Sequence, residues 1–112
     1  MKKLFLASFA YKTLDKITQL LPDKPQNLKI AFIPTAADPY EDKDFVDIDR
    51  SKLIEMGFSV IDIDIKNKTE NELETMLKEV NLIFVAGGNT YYLLYHAQKS
   101  GFMNIVKKLI EK

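Results

Sequence analysis

The chain has no cysteine, which removes disulfides, thiol catalysis and thiolate metal sites together. It has no net charge either, because sixteen basic and sixteen acidic residues cancel. No overall field therefore draws it to nucleic acid or to an anionic membrane, and neither is expected as a partner. It lacks any run approaching the ~18 apolar residues of a membrane span. The start, MKKLFLASFAYK, is basic and then apolar like a leader, but Ser8 and Lys12 interrupt the apolar stretch and a sheet strand fits it better. The expected location is cytoplasmic. Internal repeats, low-complexity tracts and linkers are also missing, so residues 1–112 are expected to form a single domain.

The most informative stretch is Leu82-Ile83-Phe84-Val85-Ala86-Gly87-Gly88-Asn89-Thr90-Tyr91-Tyr92-Leu93-Leu94. Its unbroken apolar start suits a strand covered on both faces, as in a parallel sheet. The two glycines permit backbone conformations that a side chain blocks and let another group approach the main chain. The amide N–H groups opening the following helix would face an anion or a developing oxyanion.

Strand and helix patterns alternate along the chain. Strands are expected at residues 3–8, 29–34, 58–65 and 81–86. The first helix is expected at 11–21, ended by Pro22 and Pro25. A second, looser helix spans 44–56, with Phe45, Ile48, Leu53 and Met56 inward and Gly57 as its stop. Thr69-Glu70-Asn71-Glu72 is a capping box, after which Leu73, Met76, Leu77 and Val80 form one apolar stripe. Further helices are expected at 90–99 and 102–112, the last with Ile105, Val106, Leu109 and Ile110 inward. The alternation predicts a parallel sheet between two helical layers, a three-layer α/β/α fold of flavodoxin-like shape. Ligands in such folds sit beyond the carboxyl ends of the strands. Four loops gather there, at 8–10, 35–42, 66–68 and 87–90.

At two of these loops the chain resembles a known family. FIPTA after the second strand and FVAGGNTYYLL after the fourth are similar to the dipeptidase E (aspartyl dipeptidase) family of serine peptidases, which have a class I glutamine-amidotransferase-like fold. The order of elements matches that family's amino half from residue 1 to the end, stopping after about four strands. The resemblance implies metal-free removal of N-terminal aspartate from dipeptides. It assigns the backbone of Gly88, with Gly87 second, to the oxyanion-hole side of the catalytic site. Asn89, Thr90 and Thr35 are the candidate substrate contacts, although Thr35 and Asn89 equally suit capping of local backbone. The nucleophile of a G-x-S-A-G elbow is expected one strand later, with its histidine and acid later still. Ser8, Ser51, Ser59 and Ser100 all lack the elbow context. The chain is therefore expected to be inactive alone, and to act with a small peptide substrate once completed. A complementing carboxy-terminal half or a homo-oligomer is the expected partner, and an open ladder on the fourth strand is the expected contact. No cofactor or metal is expected.

Other groups carry competing readings. His96, the lone histidine, lies within a helix with no serine placed as its nucleophile, which favours a structural role. Asp62 and Asp64 alternate on one strand face, roughly 7 Å apart by strand rise, which could suit an acid–base pair or a metal; a strand end emerging into solvent, or an edge strand protected by charge, is the favoured reading. The acidic segment 42–49 suggests a calcium loop, but Val46 and Asp47 break the pattern and a solvated helix start is the simpler reading. Of Tyr91, Tyr92 and Tyr95, one or two should pack on the sheet and the others should lie at a surface. The glycine turn lacks both nucleotide-binding spacings, so an anion there would be held by geometry alone. The alternative to the peptidase is a non-catalytic flavodoxin-like binding module, or an interaction protein using its unfinished sheet.

Overall fold

The computed structural model describes residues 3–6 and 23–110. The expected first helix at 11–21 and the loop at 8–10 lie outside the described residues. Strand β1 (Lys3–Leu6) is followed by a 3-10 turn at Pro25–Asn27 and by β2 (Lys29–Ile33). A second 3-10 turn at Thr35–Ala37 leads to helix α1 (Asp44–Glu55) and β3 (Ser59–Asp62). Helix α2 (Glu70–Leu77), strand β4 (Leu82–Val85), and helices α3 (Thr90–Lys99) and α4 (Phe102–Ile110) complete the order.

The four strands form one parallel sheet in the order β1-β4-β2-β3. β2 and β4 are central, which is why their sequences are apolar on both faces. Ile30, Phe32, Leu82, Phe84 and Ala86 face one core with Val46 and Leu53 of α1. Ala31, Ile33, Ile83 and Val85 face the other, with Leu73 and Leu77 of α2, Ala97 of α3, and Phe102 and Ile105 of α4. The register places Phe32 opposite Phe84, and their rings stack at 5.4 Å and 8°. The capping box forms as expected: Glu72 N–H donates to Thr69 Oγ1 and Thr69 N–H to Glu72 Oε1, both at 3.2 Å.

Four expectations need correction. The fourth strand has no open ladder, because β4 pairs with β1 on one side and β2 on the other; the sheet edges are β1 and β3. The inner face of α1 holds Leu53, with Phe45 and Met56 packed against the core as expected, but Ile48 does not belong to it. Val46, Asp49 and Leu53 are buried while Ile48 is 44% exposed, so a carboxylate in the buried stripe disguises the helix's true face. Met76 of α2 is likewise 37% exposed beside the buried Leu73, Leu77 and Val80. The third strand is shorter than expected, ending at Asp62, although Ile63 N–H still donates to Phe32 O at 2.9 Å. Among the described residues, no helix is long and apolar enough to cross a membrane.

Phe84 is 1% exposed at the centre of the first core. Phe84→Ala should lower unfolding free energy by about 3–5 kcal/mol, read as a fall in the urea midpoint at unchanged slope.

Candidate active site

The chain leaves β2 toward α1 on one face of the sheet and leaves β4 toward α3 on the other. Adjacent strands whose exits diverge in this way open a crevice at their carboxyl ends, the topological switch point of a parallel sheet. The Pro34–Ala37 turn and the Gly87–Asn89 turn meet there.

They meet at very short range. Gly88 has φ +150°, and a Cβ built on it would lie 2.3 Å from Ala36 O and 2.9 Å from Ala37 N. Only glycine allows this approach. Asn89 N–H donates to Ala36 O at 2.8 Å, which locks the two turns together. Among the described residues, no acceptor takes the N–H of Gly87 or Gly88, and both residues are half-buried rather than enclosed. The turn is thus pre-shaped, with two main-chain N–H groups that no described residue engages.

The candidate side chains at the same edge have structural duties. Thr35 is fully buried; its hydroxyl donates to Asp64 Oδ1 at 2.8 Å and accepts from Ile65 N–H at 3.1 Å. With its proton committed and no surface exposed, Thr35 ties the β2 and β3 loops together. Asn89 Oδ1 caps α3 by accepting from Tyr92 N–H at 3.0 Å, so its carbonyl is engaged. Thr90 is exposed at the first position of α3 and remains open to a ligand.

The structure also brings together a group that the sequence did not reveal. Tyr92 Oη donates to Asp38 Oδ2 at 2.9 Å, joining α3 to the loop after β2, with Lys66 of the β3 loop close enough to act on the same phenol. Burial, then the Asp38 carboxylate, push the Tyr92 phenol above its ordinary range, while Lys66 pulls it partly back. The available signal was spacing: Tyr92 stands three positions after the capping Asn89 and so turns back toward the loops.

The remaining candidates separate. Asp62 binds Arg50 through two contacts, Nε to Oδ1 at 3.0 Å and Nη2 to Oδ2 at 2.9 Å, whereas Asp64 serves Thr35 and Lys66 N–H. The two carboxylates do not act as a pair. His96 is 7% exposed, held edge-on between Tyr92 and Tyr95 with ring centroids at 4.6 and 4.9 Å. Its place is in packing. Tyr91 and Tyr95 are exposed, at 86% and 57%. In the acidic segment, Asp42 accepts from Asp44 N–H and Asp47 pairs with Arg50; among the described residues, no three acids or histidines gather as a metal site would need.

Comparison with known proteins agrees with this fold. The profile of Peptidase family S51 matches residues 4–112. An uncharacterised peptidase of Pasteurella multocida is 32% identical over 111 residues, covering 99% of this chain and 53% of that protein. An uncharacterised peptidase of Listeria monocytogenes is 32% identical over 101 residues, covering 90% of this chain and 49% of that one. A crystal structure of a candidate peptidase E from Listeria monocytogenes superposes with a TM-score of 0.85 at 30% identity, covering 96% of this chain and 53% of the other. The chain thus spans about half the length of the curated relatives it matches.

Two outcomes are expected. Gly88→Ala should destabilise the protein by more than the ~1 kcal/mol of an ordinary glycine substitution, because the new methyl meets fixed backbone. Thermal or urea unfolding measures this. The raised Tyr92 value means the fold favours the protonated phenol; that contribution is fully present below the ordinary 10.0 and is lost as pH rises through the folded value. In ultraviolet titration, Tyr92→Phe should remove an ionisation displaced upward from 10.0, and Asp38→Asn should lower it.

Proposed function

The chain belongs to peptidase family S51, and from that membership we propose that it is the oxyanion-side half of a serine-type peptidase that cleaves dipeptides with N-terminal aspartate. The observation that carries the proposal is the Gly87–Gly88 turn, whose N–H groups find no acceptor among the described residues and stand at the switch point. A serine Oγ adds to the scissile carbonyl carbon, the carbonyl π electrons move to oxygen, and the oxyanion accepts a hydrogen bond from Gly88 N–H. The serine proton passes to the histidine and from it to the amine that leaves as the intermediate collapses. Water then attacks the acyl-enzyme carbonyl to release the acid and restore the serine. A second donor, from the residue after the nucleophile, completes the usual pair.

The described serines stand away from this edge. Ser51 is on the exposed side of α1, Ser59 opens β3 at the opposite end of the sheet, and Ser100 follows α3, about 15 Å of helix from the turn. Ser8 lies outside the described residues. On this reading the nucleophile and its histidine come from polypeptide beyond these residues, and the chain alone is inactive. Asp38 and Lys66 place one carboxylate and one ammonium on the loops around the turn, charges that suit a zwitterionic dipeptide.

The test is hydrolysis of Asp-Leu by the complete S51 polypeptide containing this half and by this chain alone. Activity is expected only from the complete protein, insensitive to EDTA and blocked by a serine-directed phosphonate. Gly88→Ala displaces the donor and should lower kcat by up to about 10²–10³-fold with little change in KM. Chelator-sensitive activity, or full activity in a folded Gly88→Ala protein, would overturn the reading.

A further inference from the structure

Asp38 is a carboxylate that the fold orients and employs on one side only. It is half-buried; Oδ2 accepts from Tyr92 Oη at 2.9 Å, and among the described residues Oδ1 accepts from nothing. Lys66, exposed on the β3 loop, acts on the phenol, and no ion pair among the described residues includes Asp38. Asp64, at the same edge, is already committed to Thr35 and to Lys66 N–H. With Oδ2 taken, a partner for Asp38 must use the other oxygen alone. A guanidinium grips best through both oxygens, whereas an ammonium needs only one. A metal would need further ligands, and among the described residues no three acids or histidines gather.

The position is also that of a substrate amine. The α-nitrogen and carbonyl oxygen of one residue lie about 3 Å apart by standard bond lengths. A hydrogen bond adds about 2.9 Å at each end, so the groups that hold them stand within about 9 Å of each other. Asp38 is one residue, ~3.8 Å, beyond Ala37, and Ala37 N lies 2.9 Å from where a Cβ of Gly88 would be.

We infer that Asp38 binds the free α-ammonium of the substrate, with Tyr92 as the positioning residue that aims its carboxylate. The inference rests on the peptidase reading and deepens it: one residue of this half demands an unblocked amino terminus. Tyr92 suits the task. Burial, and then the Asp38 charge, hold its phenol above the ordinary range. It therefore keeps its proton throughout the range, up to about pH 8, in which a peptide amine is charged. The same hydrogen bond ties α3 to the loop after β2, and Asn89 N–H ties that loop to the glycine turn at Ala36 O. Amine anchor and oxyanion donors are thus held in one frame.

The test compares Asp-Leu with succinyl-Leu, the same molecule with hydrogen in place of the α-ammonium, as substrates of the complete S51 polypeptide. The unaltered protein should prefer Asp-Leu in kcat/KM by at least about a hundredfold. Asp38→Asn should reduce that preference by at least about tenfold, through KM rather than kcat, and Tyr92→Phe should reduce it by a smaller factor. Equal losses on both substrates would show a purely structural tie and overturn the inference. So would a preference that neither variant moves, or an unaltered protein that accepts both substrates alike. Calorimetric binding of aspartate and of succinate to the same proteins reads the anchor without hydrolysis. If aspartate binds at least about tenfold tighter than succinate, and Asp38→Asn abolishes the difference, the anchor stands even where Asp-Leu is not cleaved and the proposed activity fails. Cleavage of Asp-Leu with no such difference sinks the anchor and leaves the activity. Binding of neither ligand, without cleavage, overturns both.

Discussion

A side chain at position 88 would overlap the Ala36 carbonyl, so the backbones of the β2 and β4 turns touch with nothing between them. That approach fixes the carboxyl edge of the sheet. Once Gly88 is against Ala36, Asn89 N–H reaches Ala36 O, and the carbonyl of Asn89 begins α3 while its side chain caps it. On the other side of the same turn, Thr35 is drawn beneath the loop after β3, where its hydroxyl joins Asp64 to Ile65 N–H. Three loops are thus fastened to one dipeptide. Each hydrogen bond contributes only about 1 kcal/mol net, but leaving a buried donor such as the Thr35 hydroxyl unpaired costs about 1–3. The arrangement therefore resists piecemeal change.

The opposite face is tied by different chemistry. Arg50 lies 5.0 Å above the Phe32 ring and reaches Asp62 and Asp47, holding α1 to the end of β3. Partly exposed ion pairs are weak, so the stacked Phe32–Phe84 pair and the buried aliphatics carry most of the stability there. Arg50 matters more for direction: it draws Asp62 to the α1 side while Asp64 turns to Thr35. One strand face of alternating aspartates is thereby split between two structural roles.

Much of this was legible in the sequence. The apolar runs of β2 and β4, the capping box at Thr69 and the exact span Thr90–Lys99 follow from local patterns, and alternation gave the parallel sheet. Strand order was not legible, because pairing depends on crossover geometry rather than on any one segment; hence β4 looked like an edge and is central. On α1, Phe45, Leu53 and Met56 were legible as inward, but Ile48 was not legible as exposed, because the buried neighbour is Asp49, an acid that hydrophobicity alone cannot find. At the site, the glycine turn could be read but the role of Thr35 could not. Its partners, Asp64 and Ile65, are some thirty residues away, and no local signal says whether a hydroxyl faces a ligand or a loop.

The turn and the groove between α3 and α4 differ in what shapes them. The groove is shaped by the apolar side chains of Leu93, Leu94, Met103 and Val106 on those two helices. The turn is shaped instead by main-chain and polar contacts: the Gly88–Ala36 contact, the Asn89 cap and the Tyr92–Asp38 tie. Donors held in this way need no reorganisation when charge develops, which is the condition for strong electrostatic stabilisation.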